Sequence, residues 1–338
     1  MSVDLADKVQ ALRSSDAYAE RPREVQAIET HFAWVFLTER FAYKLKKPVR
    51  TAFVDLRSLG ARRANCLEEL RLNRRLAEHV YLDVVPLVQH ADGTLRPEGE
   101  GETIDWLVKM VRLPSDRMLD RAIAAQRAAP AALDAVGRRL AEFHAVQARI
   151  DFDPRGYVER MVRQIDEDRV ALLAPELGLP PDLVGSAAQL QMTALENLEA
   201  MVQARARERR IVEAHGDLRP EHICLIDPPC VIDTLEFSLD LRTLDPAEEL
   251  AFLRVECEQA GADWVGERIF DAWRLASGDP IAAPLVDFYR SRRAVVRGKL
   301  VAWHLLDPAV SAARPWAEQT QRYLEVACTY ARLAAGGA

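Results

Sequence analysis

Apolar, aromatic and β-branched residues run unbroken from Phe32 to Leu37 and, after the polar break Thr38-Glu39-Arg40, return from Phe41 to Leu45. Short runs of this kind predict strands, because a helix needs a longer segment with a 3.6-residue period. Two further strands are predicted at Val84 to Gln89 and Thr103 to Leu113, on either side of the turn-rich segment from Ala91 to Gly101. Between the two pairs the period changes. Cys66, Leu70, Leu72, Leu76, Ala77 and Val80 fall on one arc at about 100° per residue, which predicts a helix from about Arg62 to Val80 with one apolar face.

Pro114-Ser115-Asp116 ends the last strand and sets the expected lobe boundary. Beyond it Leu133, Val136, Leu140, Phe143 and His144 recur at helical spacing, and long helical stretches follow from Tyr157 to Arg209 and from about Pro246 onward. Residues 211–237 differ: Ile223-Cys224-Leu225-Ile226 and Cys230-Val231-Ile232 surround Pro228-Pro229, which predicts a loop and a small β-hairpin. The expected fold class is α+β. Residues 1–113 form an antiparallel sheet lobe with one main helix, and residues 114–338 a mostly helical lobe with a helical insert at about 151–210.

A length of 338 residues suits two domains or one two-lobed unit, and 49% hydrophobic with 29% charged residues suits a soluble globular chain. A formal net charge of −7 argues against a nucleic-acid partner, which would call for a basic face. Met1 to Glu20 contains no apolar stretch of signal-peptide length, and no run approaches a membrane span, so a cytoplasmic location without a membrane partner is expected. Five cysteines without C-x-x-C spacing fit reduced thiols. Only six lysines stand against 39 arginines, and three of the six are Lys44, Lys46 and Lys47.

The chemistry concentrates in His215-Gly216-Asp217-Leu218-Arg219-Pro220-Glu221-His222 and in Asp233, sixteen residues after Asp217. Phosphoryl transfer rests mainly on positioning and charge neutralisation. Its site therefore needs a carboxylate aimed at the acceptor hydroxyl and oxygen ligands for a hard cation that bridges the phosphates. Asp217 and Asp233 are candidates for these tasks; the opposing reading makes them a turn residue and a solvated strand end. The pattern resembles the catalytic loop and metal-binding aspartate of the kinase superfamily, and the H-G-D form resembles its aminoglycoside phosphotransferase-like branch of small-molecule kinases. That resemblance implies a two-lobed protein kinase-like fold, with Asp217 on the acceptor hydroxyl, and Asp233 and His222 on the metal.

Such a site also needs a cation for the nucleotide phosphates, held by a helix glutamate. Ala42-Tyr43-Lys44 resembles the V-A-I-K strand of kinases. On the helix that follows, Glu69 falls inside the apolar arc and Glu68 outside it, near Arg75 and His79. A buried carboxylate needs a partner. Lys44 is the first candidate and Lys46, on the same strand face, the second, whereas Lys47 points away. The resemblance further implies that Met110, Val111 and Leu113 lie near the adenine. It also makes His144, His215 and Glu249 structural supports of the catalytic loop.

The stretches around Glu29 to Leu37, Ala42 to Pro48, Glu68 to Leu76 and Tyr289 to Arg297 resemble a bacterial group of aminoglycoside phosphotransferase-like proteins, many fused to a C-terminal P-loop ATPase domain. No G-x-x-x-x-G-K-[ST] occurs in this chain, so the resemblance implies a functional link to a P-loop domain that the chain itself lacks. There are three departures from the family pattern. His222 stands where an asparagine is expected, and imidazole suits Zn²⁺ or Mn²⁺ better than Mg²⁺. No glycine-rich loop precedes the first strands, so Thr30 and His31 must cover the phosphates. Glu249-Leu250-Ala251 replaces an Asp-Leu-Ala.

The leading expectation is an O-phosphotransferase that uses ATP and Mg²⁺, with Mn²⁺ as the alternative, on the hydroxyl of a small molecule. The rival is a degenerate nucleotide-binding regulatory module. For the acceptor, Asp166, Glu167 and Asp168 suggest an acidic wall, whereas Arg290, Arg293 and Arg297 on one helix face suggest either ion pairing or an anionic acceptor.

Overall fold

The computed structural model describes residues 3–51, 53–307 and 314–336. In chain order the strands are β1 Gln26–Glu29, β2 Ala33–Leu37, β3 Phe41–Lys46, β4 Tyr81–Gln89, β5 Leu95–Pro97, β6 Glu102–Val111, β7 Val212–Glu213, β8 Ile223–Cys224, β9 Cys230–Val231 and β10 Thr243–Leu244. The α-helices are α1 Leu5–Leu12, α2 Leu59–Ala77, α3 Leu119–Ala124, α4 Pro130–Val146, α5 Pro154–Leu172, α6 Pro181–Arg207, α7 Leu239–Arg242, α8 Pro246–Gln259, α9 Asp263–Ser277, α10 Ala283–Ala302 and α11 Trp316–Ala334. Two units result: the chain up to Arg121 together with Glu221–Leu241, and Ala122–Pro220 together with the chain from Arg242.

The first unit is an antiparallel sheet in the order β1-β2-β3-β6-β4-β5. The four predicted strands are β2, β3, β4 and β6. Alternation along β3 divides the sheet's faces: Tyr43 and Leu45 join Val9 and Leu12 of α1, while Ala42 joins Cys66, Leu70 and Ala77 of α2. The predicted helix is α2, which starts earlier than its apolar period because Ser58 accepts from the Ala61 N–H as an N-cap. The pattern did not show α1, β1 or β5. β1 is a largely exposed edge strand, β5 has three residues, and α1 is pinned by the buried Lys8–Asp105 pair at 2.8 Å, a contact between distant parts of the chain. The α+β class is as expected, and the small hairpin is the pair β8–β9.

The second unit is helical, with an apolar cluster formed by α5, α6, α8, α10 and α11. α4 and α9 approach so closely at Gly137 that an added Cβ would lie 2.5 Å from the Ile269 carbonyl oxygen. A buried ion cluster fixes three segments: Arg205 bonds both oxygens of Asp245 at 2.6 and 2.8 Å and both oxygens of Asp279 at 2.7 Å. Asp245 also caps α8 and accepts from the Tyr289 hydroxyl. All five cysteines are buried, and none is in a disulfide. Among the described residues, no helix is long and apolar enough to cross a membrane.

Candidate active site

Within the first unit, strand parity puts Lys44 and Lys46 on the α2 face of β3, and helical phase buries Glu69 completely. Glu69 serves both lysines. Its Oε1 lies 2.9 Å from Lys44 Nζ, and its Oε2 pairs with Lys46. Lys44 also bonds Asp233 Oδ1 at 2.7 Å, and Lys46 bonds Glu236 Oε1 at 2.6 Å. Desolvation pushes the Lys44 ammonium down, but the carboxylates of Asp233, Glu69 and Glu236 outweigh it and hold Lys44 well above the ordinary lysine range. The same balance in reverse keeps Glu69 below the usual carboxylate range, since Lys44 and then Lys46 outweigh its burial.

Asp233 adopts φ +64°, a left-handed conformation that aspartate tolerates better than most residues. Two side chains hold it there. The Asp233 N–H donates to Tyr81 Oη at 3.2 Å, and the Thr234 N–H donates to Asn73 Oδ1 at 2.9 Å. Asn73 lies one turn beyond Glu69 on α2, so one helix face fixes both the lysines and the loop. The Asp233 side chain remains 42% exposed. Desolvation raises its carboxyl, yet Lys44 and His222 outweigh this and hold it well below the usual range. His222 Nε2 stands 3.6 Å from Asp233 Oδ2.

The other candidates of this unit are placed as follows. Lys47 turns to Glu29 at 2.6 Å, and Glu68 pairs with Arg71 at 2.8 Å. Thr30 closes the β1–β2 turn: its hydroxyl donates to the Ala33 carbonyl at 2.9 Å and accepts the Ala33 N–H at 3.0 Å. His31 is exposed at the same turn and packs edge-on against Phe32. Met110 is buried in the α2-side cluster, Leu113 packs against that cluster, and Val111 is half-buried at the end of β6.

Within the second unit, Gly216 takes φ +88°, which favours glycine at that position. Glu249 Oε1 accepts the N–H groups of His215 and Gly216 at 2.8 and 2.6 Å, while Glu249 Oε2 meets His144 Nε2 at 2.8 Å. Trp273 Nε1 donates to His144 Nδ1 at 3.2 Å. Burial raises the Glu249 carboxyl, but His144 and the Gly216 amide outweigh it and leave Glu249 below the ordinary glutamate range. The Asp217 N–H donates to His215 Nδ1 at 3.3 Å, and Arg219 Nε lies 3.2 Å from Asp217 Oδ1.

The arginines of α10 divide. Arg290 is buried against Glu258 at 2.7 Å and Asp263 at 3.3 Å. Arg293, also buried, donates to the Gly216 carbonyl at 3.1 Å. Arg297 lies 3.3 Å from Glu256. Burial lowers the Arg297 guanidinium, whereas Glu256, Tyr323 and Asp217 raise it, leaving it above the ordinary arginine range. Of the proposed acidic wall, Asp166 pairs with Arg169 at 2.7 Å and Asp168 with Lys299.

This pairing of a strand lysine with a helix carboxylate and a hairpin aspartate accompanies a family match. A family model described as the phosphotransferase enzyme family matches residues 38–285. The chain belongs to this family. The matched span contains Lys44, Glu69, Asp217, Asp233 and Glu249, and ends before the three α10 arginines. Uncharacterized proteins of Mycobacterium tuberculosis and Mycobacterium bovis are 33% identical over 275 residues, covering 80% of this chain and 53% of theirs. The chain thus spans about half the length of the curated relatives it matches. Among solved structures, a choline/ethanolamine kinase family protein from Mesorhizobium loti aligns with TM-score 0.56 and 16% identity, over 96% of this chain and 99% of that one. A choline kinase from Cryptosporidium parvum aligns with TM-score 0.53 and 7% identity, over 96% and 94%. At these identities the likeness establishes the protein kinase-like fold.

Family membership implies a divalent cation. Mg²⁺ is commonly bound through one or two carboxylates plus substrate phosphates. Asp233, open on one side with its carboxylate kept ionised, fits that requirement, and His222 beside it adds a softer nitrogen donor. Among the described residues no group of three or more His, Cys, Asp or Glu could hold a metal ion. Sequence reasoning missed Asn73, Tyr81 and Glu236. Asn73 carried a signal, as a polar residue on the apolar arc of α2; Tyr81 and Glu236 carried none, because their partners are distant in the chain.

Proposed function

We propose that this phosphotransferase-family protein is an ATP-dependent O-phosphotransferase that acts on a hydroxyl of a small molecule. The observation that carries the reading is Lys44 Nζ, held 2.9 Å from Glu69 and 2.7 Å from Asp233. A cation presented by a rigid strand, beside a half-exposed ionised carboxylate, is suited to the phosphates of a nucleotide and their divalent ion. In this reading Lys44 neutralises phosphate charge, Asp233 and His222 ligate Mg²⁺ or Mn²⁺, Asp217 orients the acceptor hydroxyl, and the adenine lies near Met110, Val111 and Leu113. The bound cation supplies further neutralisation of the phosphates. The choline and ethanolamine kinases of similar fold make small amino alcohols the first acceptors to test.

The decisive assay follows transfer from γ-labelled ATP to a panel of small alcohols, with Mg²⁺ or Mn²⁺, for wild type and Asp217→Asn. Transfer by wild type, lost in Asp217→Asn with nucleotide binding retained, supports the assignment. A second reading, a nucleotide-binding module without transfer, draws on His222 and on the engagement of the Thr30 hydroxyl within its own turn. Nucleotide binding with no turnover, and no difference between wild type and Asp217→Asn, would establish that reading instead.

A further inference from the structure

One lysine facing one glutamate would suffice to place a cation, yet here Glu69 divides its two oxygens between two lysines. The pair is matched on the other side by Asp233 and Glu236, three positions apart on one loop, which bond Lys44 and Lys46 respectively. Two ammonium groups therefore interlock with three carboxylates, and the two arms differ in access. The Lys46 side chain is 1% exposed and Glu236 is 11% exposed, whereas Lys44 is 13% exposed and its outer partner Asp233 is 42% exposed. A ligand can reach the Lys44 arm, and the Lys46 arm is closed.

We propose that Lys46 is a positioning residue: the standing counter-ion of Glu69 and Glu236, whose presence leaves the charge of Lys44 available to nucleotide phosphates. The inference deepens the nucleotide-dependent reading above and rests on it. If Lys46 were absent, Lys44 alone would face three carboxylates, whose excess negative charge would oppose an incoming phosphate. With Lys46 present, Glu69 and Glu236 keep a counter-ion of their own, so the charge of Lys44 can be shared with a phosphate without leaving an unpaired carboxylate in the core. Lys46 cannot itself be a phosphate ligand, because it is enclosed between two carboxylates and shielded from solvent. The spacing is built into the chain: Lys44 and Lys46 share a strand face at i, i+2, and Asn73 anchors the Thr234 amide between Asp233 and Glu236.

The test is calorimetric titration of the full chain with a non-hydrolysable ATP analogue and with adenosine, alongside thermal melting of every variant. Failure of wild type to bind either probe would remove the nucleotide reading itself. Given wild-type binding, Lys46→Met should weaken the analogue on the order of tenfold while leaving adenosine unchanged. Adding Glu69→Gln to Lys46→Met should restore most of the loss, because the unmatched carboxylate is then gone. Equal loss of both probes in Lys46→Met would mark a merely structural role, and absence of rescue by Glu69→Gln would mark direct phosphate contact; either overturns the proposal. If Lys46→Met does not fold, Glu236→Gln gives an independent reading. It leaves Lys46 to Glu69 alone and should tighten the analogue and not adenosine, and an unchanged or weakened analogue overturns the proposal.

Discussion

Glu249 accepts the backbone N–H of Gly216 at 2.6 Å across 33 residues of chain, so the residue before Asp217 is set by a helix carboxylate rather than by the loop itself. Trp273 Nε1–H can only donate, which makes His144 Nδ1 an acceptor and puts the imidazole proton on Nε2, toward Glu249. Every acceptor site of Glu249 that these groups approach is thus met by a donor.

An amide cannot reproduce that arrangement, because its NH₂ must face either the two loop N–H groups or His144 Nε2–H. Glu249→Gln should cost about 1–3 kcal/mol in denaturant unfolding at neutral pH. The carboxyl titrates below the ordinary glutamate value in the folded chain, so its contribution is fully present above that value and is lost as pH falls through the folded one. The gap between wild type and Glu249→Gln should therefore narrow below about pH 4. A gap unchanged from neutral pH to acid would contradict the assignment.

Periodicity makes much of this visible in the sequence. The two-residue period put Lys44 and Lys46 on one face, and the helical phase separated buried Glu69 from Glu68. Side-chain phase is a local property and can be read from neighbours in sequence. Glu236 and Tyr81 were silent because their partners are 190 and 152 residues away, and nothing local distinguishes a buried ion-pairing glutamate from a solvated one. The α10 arginines show the same limit. Their shared face was legible, but not that Arg290 meets Glu258 while Arg293 holds the Gly216 carbonyl.

Lys44→Ala and Lys47→Ala should separate cleanly. Lys47 pairs with a Glu29 side chain that is 55% exposed, a type of contact worth about 0–1 kcal/mol, so its loss should barely move either stability or nucleotide affinity. Lys44→Ala removes the cation shared by Glu69 and Asp233 and should reduce affinity for an ATP analogue by at least an order of magnitude. Matched effects in titration calorimetry would undo the distinction.

Arg205 bears on stability rather than chemistry. It is 5% exposed and bonds Asp245 and Asp279 together, so Arg205→Met takes the cation from buried Asp245 and leaves Asp279 only Arg210 at 3.7 Å. The expected cost is about 3–5 kcal/mol, read from chemical denaturation. Arg205→Met/Asp279→Asn should recover part of it, since one of the stranded charges is then neutral; no recovery would show that packing of the guanidinium outweighs its charge.

His222→Asn tests how the softer donor shapes cation preference. The imidazole lies 3.6 Å from Asp233 and is 7% exposed, so an asparagine at the same position puts an amide oxygen in place of nitrogen without opening the hairpin. Hard cations favour oxygen, and nitrogen ligands favour Mn²⁺ over Mg²⁺. Titrating ATP analogue affinity against each cation should therefore show wild type gaining more from Mn²⁺ than from Mg²⁺, with His222→Asn shifting the preference toward Mg²⁺. Because the readout is binding, it holds whether or not the acceptor is known. An unchanged Mn²⁺-to-Mg²⁺ ratio would place His222 outside the cation's reach and return it to the role of a hairpin residue, whose backbone carbonyl accepts from the Ile232 N–H at 2.9 Å.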